Sequence, residues 1–137
     1  MERTATCSCG QLSVSMEGDP QMHGLCHCLQ CQTMSASAFT YSGYWPKPAV
    51  RKITGNATCW RKISESGRGI DIYFCPVCGG KVYWYLDFNE NLIGLPIGAF
   101  TNRTFPPPVY SLWQESKVSW VEIPSSCKTF DRQPEQW

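Results

Sequence analysis

Seven cysteines fall into three short clusters: Cys7 and Cys9, then Cys26, Cys28 and Cys31, then Cys75 and Cys78. The first and last clusters run directly into glycine, as Cys9-Gly10 and Cys78-Gly79. A turn of this kind aims two sulfurs at one point, glycine permits the backbone conformation it needs, and nearby N–H groups stabilise the thiolates. Two thiolates cannot complete a tetrahedron, so each knuckle needs a partner pair. Cys7 and Cys9 supply one for Cys75 and Cys78, which predicts a closed four-thiolate zinc site stapling the N-terminal region to the middle of the chain.

The middle cluster differs in count. Cys26, Cys28 and Cys31 place three thiolates within six residues, with no equally plain fourth. Structural zinc is closed by four protein ligands, whereas catalytic zinc keeps three and leaves one position for water or substrate. Three plus one open position is therefore the expected count of a catalytic zinc, held less firmly than a closed one. Cys59, Cys127 and His27 are the residues that could complete it instead. His27 lies between two ligands, so its side chain is expected to point away from the metal, in a packing or supporting role. Cys59, in a strand-like stretch before Trp60, reads as a buried small hydrophobe, and Cys127 as a loop thiol.

The elements that must position these sulfurs are short. Gly and Pro punctuate the chain too often for long helices. Leu12, Val14 and Met16 alternate with serines up to the turn Gly18-Asp19-Pro20, and Phe39 and Tyr41 alternate with Thr40 and Ser42. The stretches 50–54 and 58–64 flank Gly55-Asn56 and read as a hairpin. Residues 70–74 run as a strand straight into Cys75. Residues 82–86 and the series Ile93, Leu95, Ile97 give two more strands, with weaker ones at 110–113 and 120–123. The one expected helix follows Cys28 and reaches about Ser35. This predicts one mainly-β domain over residues 1–137.

Composition narrows the function classes. The 137 residues are 42% hydrophobic and 17% charged, a globular balance, with a formal charge of +1 and no basic run. Nucleic acid is therefore not an expected partner. No apolar stretch approaches the roughly 20 residues of a membrane span. The first residues lack the apolar core of a secretory signal, so a soluble, cytoplasmic protein is expected. Nine cysteines, an odd number, in a reducing compartment point to metal ligands rather than disulfides.

The order of motifs, Cys7-Ser8-Cys9-Gly10, Cys26-His27-Cys28-Leu29-Gln30-Cys31 and Phe74-Cys75-Pro76-Val77-Cys78-Gly79, resembles the glutathione-dependent formaldehyde-activating enzyme family, which includes relatives of centromere protein V. Ser35-Ala36-Ser37-Ala38-Phe39 is similar to its small-residue segment, and Ser116-Lys117-Val118-Ser119-Trp120 to its S-K-x-x-W. The likeness runs from about Thr6 to Phe130. At two positions the residues differ from the common pattern: Ala36 stands where many members have glycine, and Ser111 where many have histidine. The resemblance implies a zinc-stapled β-tent of two small antiparallel sheets. It implies a structural zinc on Cys7, Cys9, Cys75 and Cys78, and a catalytic or exchangeable zinc on Cys26, Cys28 and Cys31. It also implies carbon–sulfur lyase chemistry, in which glutathione adds to formaldehyde to give S-hydroxymethylglutathione, or the reverse.

Zinc already bound by three thiolates is a weak Lewis acid, yet well suited to accept a fourth sulfur and hold it ionised. The expected partners are thus a small-molecule thiol and an aldehyde-type substrate, the thiol attacking or leaving the aldehyde carbon. Arg51, Lys52, Arg61, Lys62, Arg68 and Arg103 are candidate anchors for a substrate carboxylate. Of the aromatic residues, Tyr41, Trp45, Trp60, Tyr83, Trp84 and Trp113 are candidate pocket walls, most expected in the core. Two other classes fit the same cysteines: a non-enzymatic zinc-binding interaction or chaperone module, and a thiol redox sensor.

Overall fold

The polar, β-branched N-terminal segment opens the fold as an edge strand. The computed structural model describes residues 1–64 and 67–135. β1 (Glu2–Thr6), β2 (Ser13–Glu17) and β5 (Val50–Thr54) form a three-stranded antiparallel sheet in the order β1-β2-β5. The second sheet has eight strands. β3 (Met22–Cys26), β4 (Thr40–Pro46), β6 (Thr58–Ile63), β7 (Gly69–Phe74), β8 (Lys81–Leu86), β9 (Asn89–Pro96), β10 (Tyr110–Leu112) and β11 (Lys128–Thr129) run in the order β11-β10-β3-β4-β9-β8-β7-β6. The one α-helix among the described residues, α1 (Leu29–Ser35), follows Cys28 as the sequence predicts. Among the described residues no helix is long and apolar enough to cross a membrane.

The period-2 pattern of β2 buries Val14 and Met16 against Trp45, Ile93 and Leu95 of the larger sheet, with Phe100 closing the same core. The opposite face of the larger sheet carries a second apolar group, Ile72, Trp84 and Leu86, with Met34 of α1 packed on it. Two faces buried by different partners explain why β7 and β8 are apolar at both parities.

Three expectations are corrected. The larger sheet is neither small nor wholly antiparallel: β10 pairs parallel with both β3 and β11. The long segment after β9, with Pro106-Pro107-Pro108, returns the chain beside β3 in the same direction, a connection that parallel pairing requires. Residues 50–54 and 58–64 are not a hairpin, because β5 pairs with β2 and β6 with β7. Gly55, at φ +95°, turns the chain from one sheet to the other. Gln11 clamps that turn, donating to Asn56 O at 2.6 Å and accepting from Asn56 N at 3.0 Å. Residues 120–123 form no strand. The Lys117 ammonium donates to Val118 O and Val121 O, carbonyls that a strand would have offered to a neighbour.

Candidate functional site

The N-terminal and central knuckles meet at one point. Cys7 follows β1 directly and Cys75 follows β7, each in a buried position, while Cys9 and Cys78 sit in exposed turns. Gly10 at φ +84° and Gly79 at φ +77° supply the left-handed turns the two motifs anticipate. All four Sγ atoms lie within 4.8 Å of one another, with Cys7–Cys9 at 3.7 Å and Cys9–Cys75 at 3.6 Å. With metal–sulfur bonds of about 2.3 Å, a tetrahedron has sulfur–sulfur edges of about 3.8 Å, so the donor set fits zinc. Donors surround the sulfurs as thiolates require. Leu12 N reaches Cys7 Sγ at 3.3 Å, and Val77 N and Gln11 Nε2 reach Cys75 Sγ at 3.3 and 3.1 Å. Although desolvation opposes it, these bonds and that from Cys78 N hold the Cys75 thiol down at about 6.

The middle cluster is assembled by a strand end and a helix start. Cys26 is the last residue of β3, Cys28 caps α1, and Cys31 lies in its first turn. Cys28 Sγ accepts from Cys31 N at 3.3 Å, so the cap bond itself orients one ligand toward the next. The three Sγ atoms lie within 4.8 Å of one another, and among the described residues no fourth Cys, His, Asp or Glu joins them. Bonds from the Cys26 and Cys28 thiols hold Cys31 far below the usual thiol range, while Cys26 is pushed up.

None of the three alternative ligands closes this cluster. His27 is fully buried and turned away, its Nε2 2.9 Å from Ser111 Oγ and its ring 5.5 Å from that of Phe39. Cys127 is buried at the bend before β11. Cys59 overturns its expectation: it is exposed on β6, the last strand of the larger sheet.

The three thiols open onto a pocket on the face of the larger sheet that α1 partly covers. Trp84, Tyr110 and Trp113 wall it, with Ile72 and Leu86 on its floor. Gly24 and Gly94 make room for two of those rings, since a Cβ at either would strike Tyr110 or Trp84. Of the proposed aromatic walls, Trp84 and Trp113 line the pocket, Trp45 and Tyr83 are core, and Trp60 is exposed on β6. Tyr41 donates to Pro106 O instead.

Of the proposed cationic anchors, the pocket takes Lys62 alone. Arg61, one residue earlier on β6, projects from the other face and is tied to Asp71 and Asp87. Arg68 stacks on Phe88, and Arg51 and Arg103 donate to the backbone carbonyls of Pro48 and Gly98. A second pocket cation, Lys81, is one the sequence reading missed. Simple alternation puts Lys81 on the Tyr83 face. A register shift between Tyr73 and Phe74 pairs it with Phe74 instead, and its Nζ lies 4.7 Å from the Trp84 ring centre. Burial pushes its ammonium down to about 8.

The family model described as glutathione-dependent formaldehyde-activating enzyme matches residues 2–116. A crystal structure of a Rhodobacter sphaeroides protein is similar in fold, with a TM-score of 0.56 and 17% identity, covering 76% of this chain and 91% of that one. No curated protein gives a significant sequence match.

Proposed function

The chain belongs to the glutathione-dependent formaldehyde-activating enzyme family, and on that premise we propose that it is a zinc-dependent carbon–sulfur lyase-type enzyme, a single β-tent domain acting in the cytoplasm. Its substrates are a glutathione-like thiol and an aldehyde. Cys7, Cys9, Cys75 and Cys78 hold a structural zinc. Cys26, Cys28 and Cys31 hold a catalytic one. The reading rests on the contrast between the two clusters: four thiols close on one another, whereas three face a pocket with no fourth ligand among the described residues.

Zinc bound at the three-thiolate centre supplies a position that accepts a further sulfur and keeps it ionised near neutral pH. The chain's residues do the rest. Trp84, Tyr110 and Trp113 keep bulk water from the sulfur, and Lys62 and Lys81 offset the negative charge the thiolates gather. In the forward direction the thiolate lone pair forms a carbon–sulfur bond to the aldehyde carbon. The carbonyl π pair moves to oxygen, which takes back the proton the thiol released on ionising, giving the S-hydroxyalkyl adduct. The reverse reaction breaks the same bond and releases the thiol.

The test is adduct formation from glutathione and formaldehyde, followed by NMR, with and without the protein and with Cys28→Ser. Catalysed exchange that is lost in Cys28→Ser while the circular dichroism spectrum is unchanged supports the reading. Full activity in Cys28→Ser overturns it, and two equally inert zincs with no catalysis would assign the chain to a non-enzymatic zinc module.

A further inference from the structure

Two lysines reach the pocket from neighbouring parts of one sheet, Lys62 on β6 and Lys81 on β8. Lys62 is only 6% exposed, although its neighbours on the same edge strand are open to solvent. A lysine is seldom buried without a carboxylate. No carboxylate among the described residues lies within ion-pair distance of either ammonium. The described pocket lining contains no Asp or Glu at all, and its remaining surface is mainly aromatic and aliphatic. The backbone has been bent to bring Lys81 there, because the register shift in β7–β8 turns it off the Tyr83 face and over Trp84.

The three thiolates do not by themselves account for both cations. Carrying a divalent metal, three thiolates amount to about one net negative charge, which one lysine balances. A ligand thiolate brings a second negative charge that offsets the other lysine. Neither ammonium, however, donates a hydrogen bond to a described residue, and metal-bound sulfur accepts one weakly. Both therefore keep N–H donors for an oxyanion that arrives with the ligand. An anionic group in this apolar pocket gains charge-assisted hydrogen bonds that water screens poorly, whereas an ammonium finds two cations and no acid.

We propose that Lys62 and Lys81 form an anion subsite beside the three-thiolate centre, and that this chain's substrate is a thiol whose carboxylate lies within a few bonds of its sulfur and which brings no ammonium to that end. The proposal rests on the thiol-accepting reading above and narrows its substrate class.

Three short thiols of similar size and different charge test it: 3-mercaptopropionate, 2-mercaptoethanol and cysteamine. The protein is loaded with cobalt(II), whose thiolate charge-transfer bands report binding without turnover, and affinities are compared at equal thiolate concentration. The expected order is anion, neutral, cation, with about tenfold or more between the first two, the yield of one charge-assisted hydrogen bond. In Lys62→Met and Lys81→Met every thiol binds less tightly, because each lysine also offsets thiolate charge, but 3-mercaptopropionate loses several-fold more than mercaptoethanol and the gap shrinks. Equal affinities in the unaltered protein, which needs no variant to fold, overturn the proposal. So does an equal loss for all three thiols in the variants, since the lysines would then serve only the thiolates. If no thiol moves the bands, the thiol-accepting reading is what fails. The subsite is then decided by calorimetry with 3-(methylthio)propionate: binding that is lost in the variants supports it, and no binding overturns it.

Discussion

His27 Nε2 stands 2.9 Å from Ser111 Oγ, and Ser111 in turn donates to Gln114 Oε1 at 2.7 Å. Because the serine proton goes to Gln114, its lone pair receives the Nε2 proton, which fixes the imidazole tautomer and leaves Nδ1 as a buried acceptor without a partner. The backbone of His27 is held as well. Its N–H donates to Leu112 O at 3.0 Å, and its carbonyl accepts from Gln32 Nε2 at 2.8 Å. The residue between two of the candidate ligands is thus a rivet joining the cysteine loop to β10. Ser111 serves that rivet from β10.

Ser111→Ala removes the acceptor and leaves a buried N–H unpaired, at a cost of about 1–3 kcal/mol. Metal affinity at the three-thiolate centre should fall roughly tenfold or more, because the loop carrying Cys26 and Cys28 loses its support, while the four-thiolate centre is unaffected. Urea denaturation and competitive chelator titration measure the two effects separately. Unchanged metal affinity would limit Ser111 to packing.

Zinc analysis of the purified protein should give two ions per chain, one resistant to a mild chelator and one released by it. Cys28→Ser should lose the labile ion alone and keep the fold. Cys75→Ser should lose the resistant one and much of the tertiary structure, since that centre ties β1 to β7. Elemental analysis with near-UV circular dichroism decides the matter.

A methyl group at Gly24 has nowhere to go, because the Tyr110 ring lies flat over that backbone. Gly24→Ala should destabilise the protein by about 1–3 kcal/mol as β10 is pushed from β3. Gly98→Ala, where nothing lies within 4 Å of the added Cβ, is the control and should stay within about 0.5 kcal/mol. Equal midpoints for the two variants would contradict the packing described.

His23, only 7% exposed and 3.2 Å from the Tyr41 hydroxyl, has its pKa lowered by burial, with Asp19 opposing the shift. The unfolded chain therefore takes up a proton near pH 6.5 that the folded protein accepts only at lower pH. The His23 share of stability is intact above pH 6.5 and declines as the pH falls below it. Urea midpoints at pH 7.5 and 5.5 should separate more for the unaltered protein than for His23→Gln. An identical separation would mean that other groups carry the acid sensitivity.

The sequence by itself determined which sulfurs gather. Ligand spacing is a local property, so Cys9-Gly10 and Cys78-Gly79 announce their turns, Cys28 announces the helix it caps, and the alternation in β2 announces a strand with one buried face. The count of four against three cysteines was legible for the same reason, as was the turning away of His27. What the tertiary structure decided depends on which strands become neighbours. Gly55-Asn56 looks like a hairpin until Gln11 takes the turn and sends β5 and β6 to different sheets. β3 carries His23 and Gly24, and makes sense as a strand only once the Tyr110 ring is seen to need the glycine. Cys59 looks buried until β6 proves to be the edge. Lys81 reaches the pocket through a one-residue slip in pairing, and a slip of one residue reverses the face of a side chain while leaving no mark on local composition.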